Sequence, residues 1–353
     1  MTATTPTSGA PDLASGHAPG ITLRHVTKSF GATEVLTDVC ATLAPGRIYG
    51  LLGANGTGKT TLLACIAGHT FASGGEIRID GRDPREHAPT LARLCFVRED
   101  QAYNDAFTVA DILAVMPAFY PDWDIETATR LVRRFRLPWR TRSKKLSRGQ
   151  RSALAIVLAL ASGAAYTFLD EPYLGLDPTA RGIFYDELLA AYAASHDRAD
   201  DPRPGRVAAP APRTFVMSTH LIDEAADLME EVLVLDRGEI VLQADVDDAR
   251  RTAFVARGLD AEVKALGVGR ELLSSRRLGG ITSATIRGEL SAQDRRGANE
   301  ARVSIEPASL QELVAAIGLH GGTDQLAPHS VGSTHGEPLA QTHSLAAESE
   351  SDQ

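Results

Sequence analysis

Cysteine is scarce in this chain of 353 residues, with only Cys40, Cys65 and Cys95, far apart and without metal-ligand spacing. No disulfide framework or zinc motif can be written from them, and they read as small core residues of a reduced, cytosolic protein. Long apolar runs are missing too. A membrane span needs about 20 apolar residues. The best stretch, Ser152 to Leu169, has 18 and is interrupted at Ser152, Ser162, Gly163, Tyr166 and Thr167. It is expected to form a buried helix followed by a buried strand. The N-terminal "MTATTPTSGAPDLASGHAPG" has neither a basic start nor an apolar stretch, so no secretory signal is expected. Net positive charge is absent as well: the formal charge of −9 argues against a general nucleic-acid binder, and no nucleic-acid partner is expected. No internal repeat is evident.

The charge is unevenly spread. Residues 130–151 hold ten Lys or Arg and no acid, which reads either as a solvated helical face or as a surface turned toward anions. Composition otherwise suits a soluble globular protein, with 43% hydrophobic and 23% charged residues. The length allows one large domain plus a smaller one.

Periodicity divides the chain. Residues 1–20 and 320–353 are low in complexity and read as disordered tails. Strand patterns run at 21–30, 35–43, 47–52 and 74–81, with a helix from Lys59 to Ala67. Helical spacing from Thr108 to about Phe135 is cut into short pieces by Pro117, Pro121 and Pro138. Strand returns at 165–169, helix at 179–194, strand at 214–218, and a hairpin turns at Arg237-Gly238. The Pro- and Arg-rich stretch 195–213 reads as a flexible surface insertion. Between Phe254 and Gly318 the pattern is strand, helix, two strands, helix, strand, helix, expected as a small α/β accessory domain of residues 254–318.

"GANGTGKT", Gly53 to Thr60, matches the P-loop pattern after a strand and at the start of a helix. Glycines such as Gly53, Gly56 and Gly58 let backbone N–H groups, with Asn55, curl round a phosphate chain, and the helix N-terminus adds partial positive charge. Lys59 would reach the β- and γ-phosphates and the Thr60 hydroxyl would bind Mg²⁺, with Thr61 a further ATP-binding candidate. Asp170 and Glu171 close the apolar strand "YTFLDEP". An Asp at this place helps hold Mg²⁺, and a second carboxylate beside it could deprotonate an attacking water.

Around these two elements the chain resembles the ABC transporter ATPases. "LSRGQ" (146–150) is similar to that family's signature, "LGLD" (174–177) to its D-loop, and "STH" (218–220) to its switch segment. The resemblance covers residues 21 to about 245, with the ATP-binding domain expected over 21–247. It implies an α/β P-loop core with an antiparallel β subdomain and an α-helical subdomain at about 100–160, using ATP and Mg²⁺. Carried over residue by residue, it implies two ATP-binding subunits, identical or not, paired head to tail. Ser147, Gly149 and Gln150 of one chain would then face the nucleotide on Lys59 of the other. Glu171 would be the catalytic base, His220 would contact the γ-phosphate, and Asp177 would act across the dimer. Phe30 would stack on adenine or serve the core alone.

Three positions depart from the family pattern. Arg148 replaces the first glycine of LSGGQ, and Thr57 stands where Ser is commoner. In "FVREDQ", Glu99 takes the usual Q-loop position while Gln101 follows two residues later, and both remain candidates. "FVREDQAYNDAFTVADIL", "FYPDWD" and "DEPYLGLDPTARGIFYDELL" resemble the Ytr-type subgroup, bacterial ATPases often encoded beside GntR-type repressors. That implies a cytoplasmic subunit, peripheral on the inner face of the membrane, driving separate polytopic permease subunits. The cargo would be an antibiotic or cell-envelope compound, and the direction export. The other function considered is a soluble ABC ATPase with a regulatory role. Phe119, Tyr120 and Trp123 are candidates for permease docking, or else for core filling.

Overall fold

The computed structural model describes residues 19–320 except 86, 99 and 201–211. The chain enters as a long hairpin, β1 (Ile21–Phe30) and β2 (Thr33–Leu43), whose alternation buries Ile21, Leu23, Leu36, Val39, Ala41 and Leu43. That alternation slips at His25, whose φ is 49°, and the register against β2 shifts between Leu23 and Val26. Such a bulge takes up one extra residue on one strand. β3 (Ile48–Leu52), buried at every position, leads through the P-loop into α1 (Lys59–Ile66). β4 (Gly74–Ile79) returns to pair antiparallel with β1. A short α2 (Ala88–Leu91) precedes the buried β5 (Leu94–Val97).

Three helices follow: α3 (Val109–Val115), α4 (Ile125–Arg134) and α5 (Arg148–Ala161). Thr108 and Asp111 form a reciprocal capping box at the start of α3, and Asp124 caps α4. α5 is buried at every residue from Ala153 to Ala161, which explains its apolar sequence without a bilayer. Among the described residues no helix is long and apolar enough to cross a membrane.

β6 (Tyr166–Asp170), α6 (Pro178–Asp200), β7 (Thr214–Ser218), α7 (Ile222–Ala225), β8 (Glu231–Asp236) and β9 (Glu239–Asp245) complete the larger unit. Its nine-stranded sheet runs β4-β1-β2-β9-β8-β3-β7-β6-β5. β8, β3, β7, β6 and β5 pair in parallel, so their C-terminal ends and the P-loop lie on one edge. Ligands of open parallel sheets bind at that edge.

α8 (Val246–Arg251) leads into the last unit: β10 (Ala253–Leu259), α9 (Asp260–Leu266), β11 (Leu272–Leu278), β12 (Ile281–Arg287), α10 (Ala292–Glu300), β13 (Ser304–Pro307) and α11 (Leu310–His320). Its antiparallel sheet, β11-β12-β10-β13, has the order of a split βαβ fold. β10 is buried on both faces. Phe254 and Ala256 face a small cluster with Val263 and Ile286, whereas Ala253 and Val255 join the main core with Leu310, Leu313 and Val314 of α11. The small sheet therefore shares its core with the larger unit.

Three sequence-based expectations meet a different structure, and one pair of alternatives is divided between residues. Helix α6 was expected to end at residue 194, with a surface insertion from 195, but it continues to Asp200. At the far end of that stretch Arg213 is only 6% exposed. Its guanidinium donates to the carbonyls of Ala159, Leu160 and Ala164 and to Thr167 Oγ1, closing the C-terminal end of α5. Helix ends leave carbonyls without intrahelical partners, and a buried cation there satisfies them while complementing the helix dipole.

The basic run is partly structural. Arg130 and Arg134 of α4 both donate to Glu187 of α6, and Arg134 also pairs with Asp186 at 2.9 Å. Burial alone would raise the Glu187 carboxyl, but hydrogen bonds from the two arginines hold it below its ordinary value. Of the docking candidates, Phe119 is exposed, whereas Tyr120 and Trp123 pack against the main core. Finally, Cys65 and Cys95 are buried as expected, but Cys40 is exposed. The low-complexity stretches 1–18, 201–211 and 321–353 lie outside the described residues.

Candidate nucleotide site

The P-loop is fixed by backbone approach. Gly53 has φ 151°, and a Cβ there would sit 2.3 Å from the Leu235 carbonyl oxygen, so only glycine lets the loop leave β3 so close to β8. The buried Lys59 ammonium donates to the Gly53 and Ala54 carbonyls at 2.8 and 2.9 Å. Burial lowers it below the ordinary lysine range, against the opposing pull of Glu171 and Asp170.

Asp170 ends β6, and its register partner on β7 is Ser218. The Ser218 hydroxyl donates to Asp170 at 2.5 Å, and the Glu171 backbone N–H donates to that same Ser218 oxygen at 3.2 Å. Glu171 adopts φ 48°, a left-handed conformation uncommon outside glycine, which turns the chain just after the strand. Its carboxylate lies 2.7 Å from His220 Nδ1. Burial raises the Glu171 carboxyl above its ordinary value, and the neighbouring His220 and Lys59 only partly offset that. A carboxylate raised in this way takes up a proton more readily than a free one.

Together Val35, Asn55, Gly56, Gly58, Lys59, Thr60, Thr61, Asp170, Glu171, Leu174 and His220 line a cleft of about 540 Å³. All but Val35 and Leu174 of these were expected from sequence. Ser218 enters the sequence reading only as the first letter of STH and not as a site residue, although its place at the end of an apolar strand is the signal that points to it.

The remaining candidates lie elsewhere. Ser147 caps α5 in a reciprocal box with Gln150: Gln150 N–H donates to Ser147 Oγ, and Ser147 N–H donates to Gln150 Oε1. A Cβ on Gly149 would meet the Gly175 carbonyl at 2.5 Å, so the signature turn lies directly against the D-loop. Ser152 Oγ, donating to the Leu174 carbonyl at 2.7 Å, ties the same two segments. Asp177 caps α6 by accepting from Ala180 N–H at 2.8 Å. None of Ser147, Gly149, Gln150 and Asp177 lines the P-loop cleft of its own chain.

Gln101 lines a second cleft, with Arg98, Asp100, Arg148 and Arg151, and is not among the residues lining the P-loop cleft. Glu99 lies outside the described residues. Phe30, at the end of β1, is exposed with the Lys28 ammonium 4.5 Å from its ring centre, and it does not line the cleft.

This combination of parallel sheet, P-loop, strand-end carboxylates and a helix-capping LSRGQ turn defines a P-loop ATPase cassette. A family profile described as "ABC transporter" matches residues 36–174. The ABC transporter ATP-binding protein YtrB of Bacillus subtilis is 34% identical over 46% of this chain and 55% of its own length. The Nod factor export ATP-binding protein I of Rhizobium johnstonii is 31% identical over 63% of this chain and 68% of its own. A sulfate/thiosulfate import ATP-binding protein, CysA, of Caulobacter vibrioides is 32% identical over 67% and 68%. Among solved structures, the ATP-binding subunit of an ABC transporter superposes with TM-score 0.56 at 22% identity, covering 66% of this chain and 92% of that one. A nucleotide-free ATP-binding cassette superposes at TM-score 0.51 and 20% identity, covering 64% and 91%. The chain belongs to the ABC transporter ATP-binding family, whose cassettes are ATPases coupled to transport. It spans little more than half the length of the Bacillus relative and about two thirds of the other two.

Proposed function

We propose that the chain hydrolyses ATP at the P-loop cleft and drives transport through separate polytopic permease subunits, sitting on the cytoplasmic face of the membrane. The observation that carries this reading is the convergence of Lys59, Thr60, Asp170, Glu171 and His220 on one cleft, with Glu171 and His220 2.7 Å apart. Lys59 binds the β- and γ-phosphates. The oxygen donors suit Mg²⁺, a hard cation: Asp170 is a buried carboxylate and Thr60 offers a hydroxyl, and both line the same cleft. When bound there, the ion would neutralise charge on the phosphates. Glu171 orients a water and takes its proton, while His220 fixes the carboxylate and reaches the γ-phosphate.

Two cassettes, identical or not, pair head to tail, so that Ser147, Gly149 and Gln150 of one close over the nucleotide of the other. Placement of these residues away from their own P-loop supports that pairing. Asp177, at the start of α6 beside the signature turn, would signal across the same interface. Gln101 or Glu99 would couple the site to the permease, and the exposed Phe119 is the docking aromatic. Phe30, exposed at the rim of the fold, stacks on adenine once nucleotide binds. Export of an antibiotic or envelope compound is supported by likeness to YtrB and to the Nod factor export proteins, and the sulfate import relative is the counterweight.

The test is phosphate release with Mg²⁺ and ATP. Glu171→Gln keeps size and hydrogen bonding but removes the base, so turnover should fall by about 10² or more while ATP affinity persists. Hydrolysis at the wild-type rate would sink the assignment. A regulatory ATPase uncoupled from transport would instead keep the activity but fail to co-purify with a polytopic membrane protein.

A further inference from the structure

The exposed cysteine does not stand alone. The bulge in β1 turns His25 toward Asp38 and Cys40, which are two residues apart on β2 and so share one face of the strand. His25 Nδ1 lies 2.9 Å from Asp38 Oδ1 and 3.6 Å from Cys40 Sγ, and Cys40 Sγ lies 3.7 Å from Asp38 Oδ1. The His25 backbone N–H donates to Cys40 Sγ at 3.2 Å.

We infer that His25, Asp38 and Cys40 form a binding site for a borderline-soft transition metal ion, Zn²⁺ above all, through three protein ligands. A tetrahedral zinc has edges of about 3.3 Å between N and O ligands and about 3.6 Å from S to either, given Zn–N and Zn–O near 2.0–2.1 Å and Zn–S near 2.3 Å. Two of the three edges are already in place, and the third, between His25 and Asp38, opens by only about 0.4 Å to admit the ion. The mixed N, O and S donor set selects against Mg²⁺ and Ca²⁺, which take oxygen ligands. Two paired strands carry the ligands, so little ordering is needed on binding. The His25 N–H bond to sulfur is the kind of outer contact that steadies a thiolate ligand. The fourth position faces solvent, because all three residues are exposed. Sequence spacing could not reveal the site, since the bulge alone aligns residue 25 with residues 38 and 40.

Cobalt substitution of the reduced, metal-stripped full chain tests this. Co²⁺ should bind one per chain with a thiolate-to-cobalt charge-transfer band in the near ultraviolet, and one equivalent of Zn²⁺ should abolish the band. Among the described residues no thiol lines the P-loop cleft, so the band separates this site from the nucleotide site. Cys40→Ser should remove the band. His25→Ala should weaken Zn²⁺ binding about 10²-fold, since even outer-shell partners cost 10–100-fold. Both variants should keep the wild-type unfolding midpoint and ATPase rate. A wild-type chain without the band, or a band that survives Cys40→Ser, overturns the proposal.

Discussion

The P-loop cleft and the signature turn are built on opposite plans. In the cleft, charged side chains, Lys59 and Asp170 buried and Glu171 half-buried, each hold a polar partner: Lys59 its loop carbonyls, Asp170 the Ser218 hydroxyl, Glu171 the exposed His220. Around the signature turn the organising contacts are backbone and cap: the Ser147–Gln150 box, Gly149 pressed on Gly175, and Ser152 bonded to the Leu174 carbonyl. A set of buried charges can hold phosphate and do proton chemistry within one chain. A capped helix N-terminus supplies donors and partial charge but no base. The contrast suits the proposed division of labour, in which each chain contributes the chemistry of one site and the closing surface of another.

The largest expected effect lies on the cleft side of that contrast. Lys59→Ala should weaken ATP binding by about 10²-fold, as expected for loss of a desolvated charged contact, measured with a fluorescent ATP analogue. Unchanged affinity would place the phosphates elsewhere. On the signature side, Gly149→Ala forces a Cβ to within 2.5 Å of the Gly175 carbonyl and displaces the turn. Turnover should drop by roughly 10- to 100-fold, the cost of a misplacement of about 1 Å, with ATP affinity untouched. A parallel loss of affinity would erase the distinction between the two regions.

Neither region's chemistry should respond when the scaffold between them is loosened. Arg213→Ala removes four hydrogen bonds, two of them to the last carbonyls of α5, and should cost about 3 kcal/mol of stability, read from denaturant unfolding. Wild-type stability would mean that those carbonyls find other partners. The smallest effect concerns pH. A base works only when deprotonated, so activity falls as pH drops through the Glu171 value, which burial raises above the usual carboxylate range. His220 holds that value down, so in His220→Ala the residual activity should show its acid limb at higher pH. A limb at unchanged pH would remove His220 as the partner that tunes Glu171.

What was legible in the sequence were features written in consecutive residues. The P-loop, the strand-end carboxylates, the hairpin turn at Arg237-Gly238 and the strand and helix order after Phe254 all follow from local spacing. What was hidden depends on partners far along the chain. Arg213 looks like the end of a low-complexity insertion until its bonds to Ala159 and Leu160 are known. Ser218 gains meaning only from the register of β7 on β6, and Cys40 only from a bulge that no pattern announces. Trp123 and Phe119 are equivalent as letters, and packing alone separates the core aromatic from the exposed one.

The pairing of a complete cleft with a foreign signature turn is tested most directly by light scattering on the eluting Glu171→Gln chain with Mg²⁺ and ATP. The account predicts a species of twice the chain mass that retains ATP, and a Lys59→Ala chain that stays at single mass under the same conditions. A Glu171→Gln chain that binds ATP yet remains monomeric, beside a wild-type monomer that hydrolyses ATP at full rate, would contradict it.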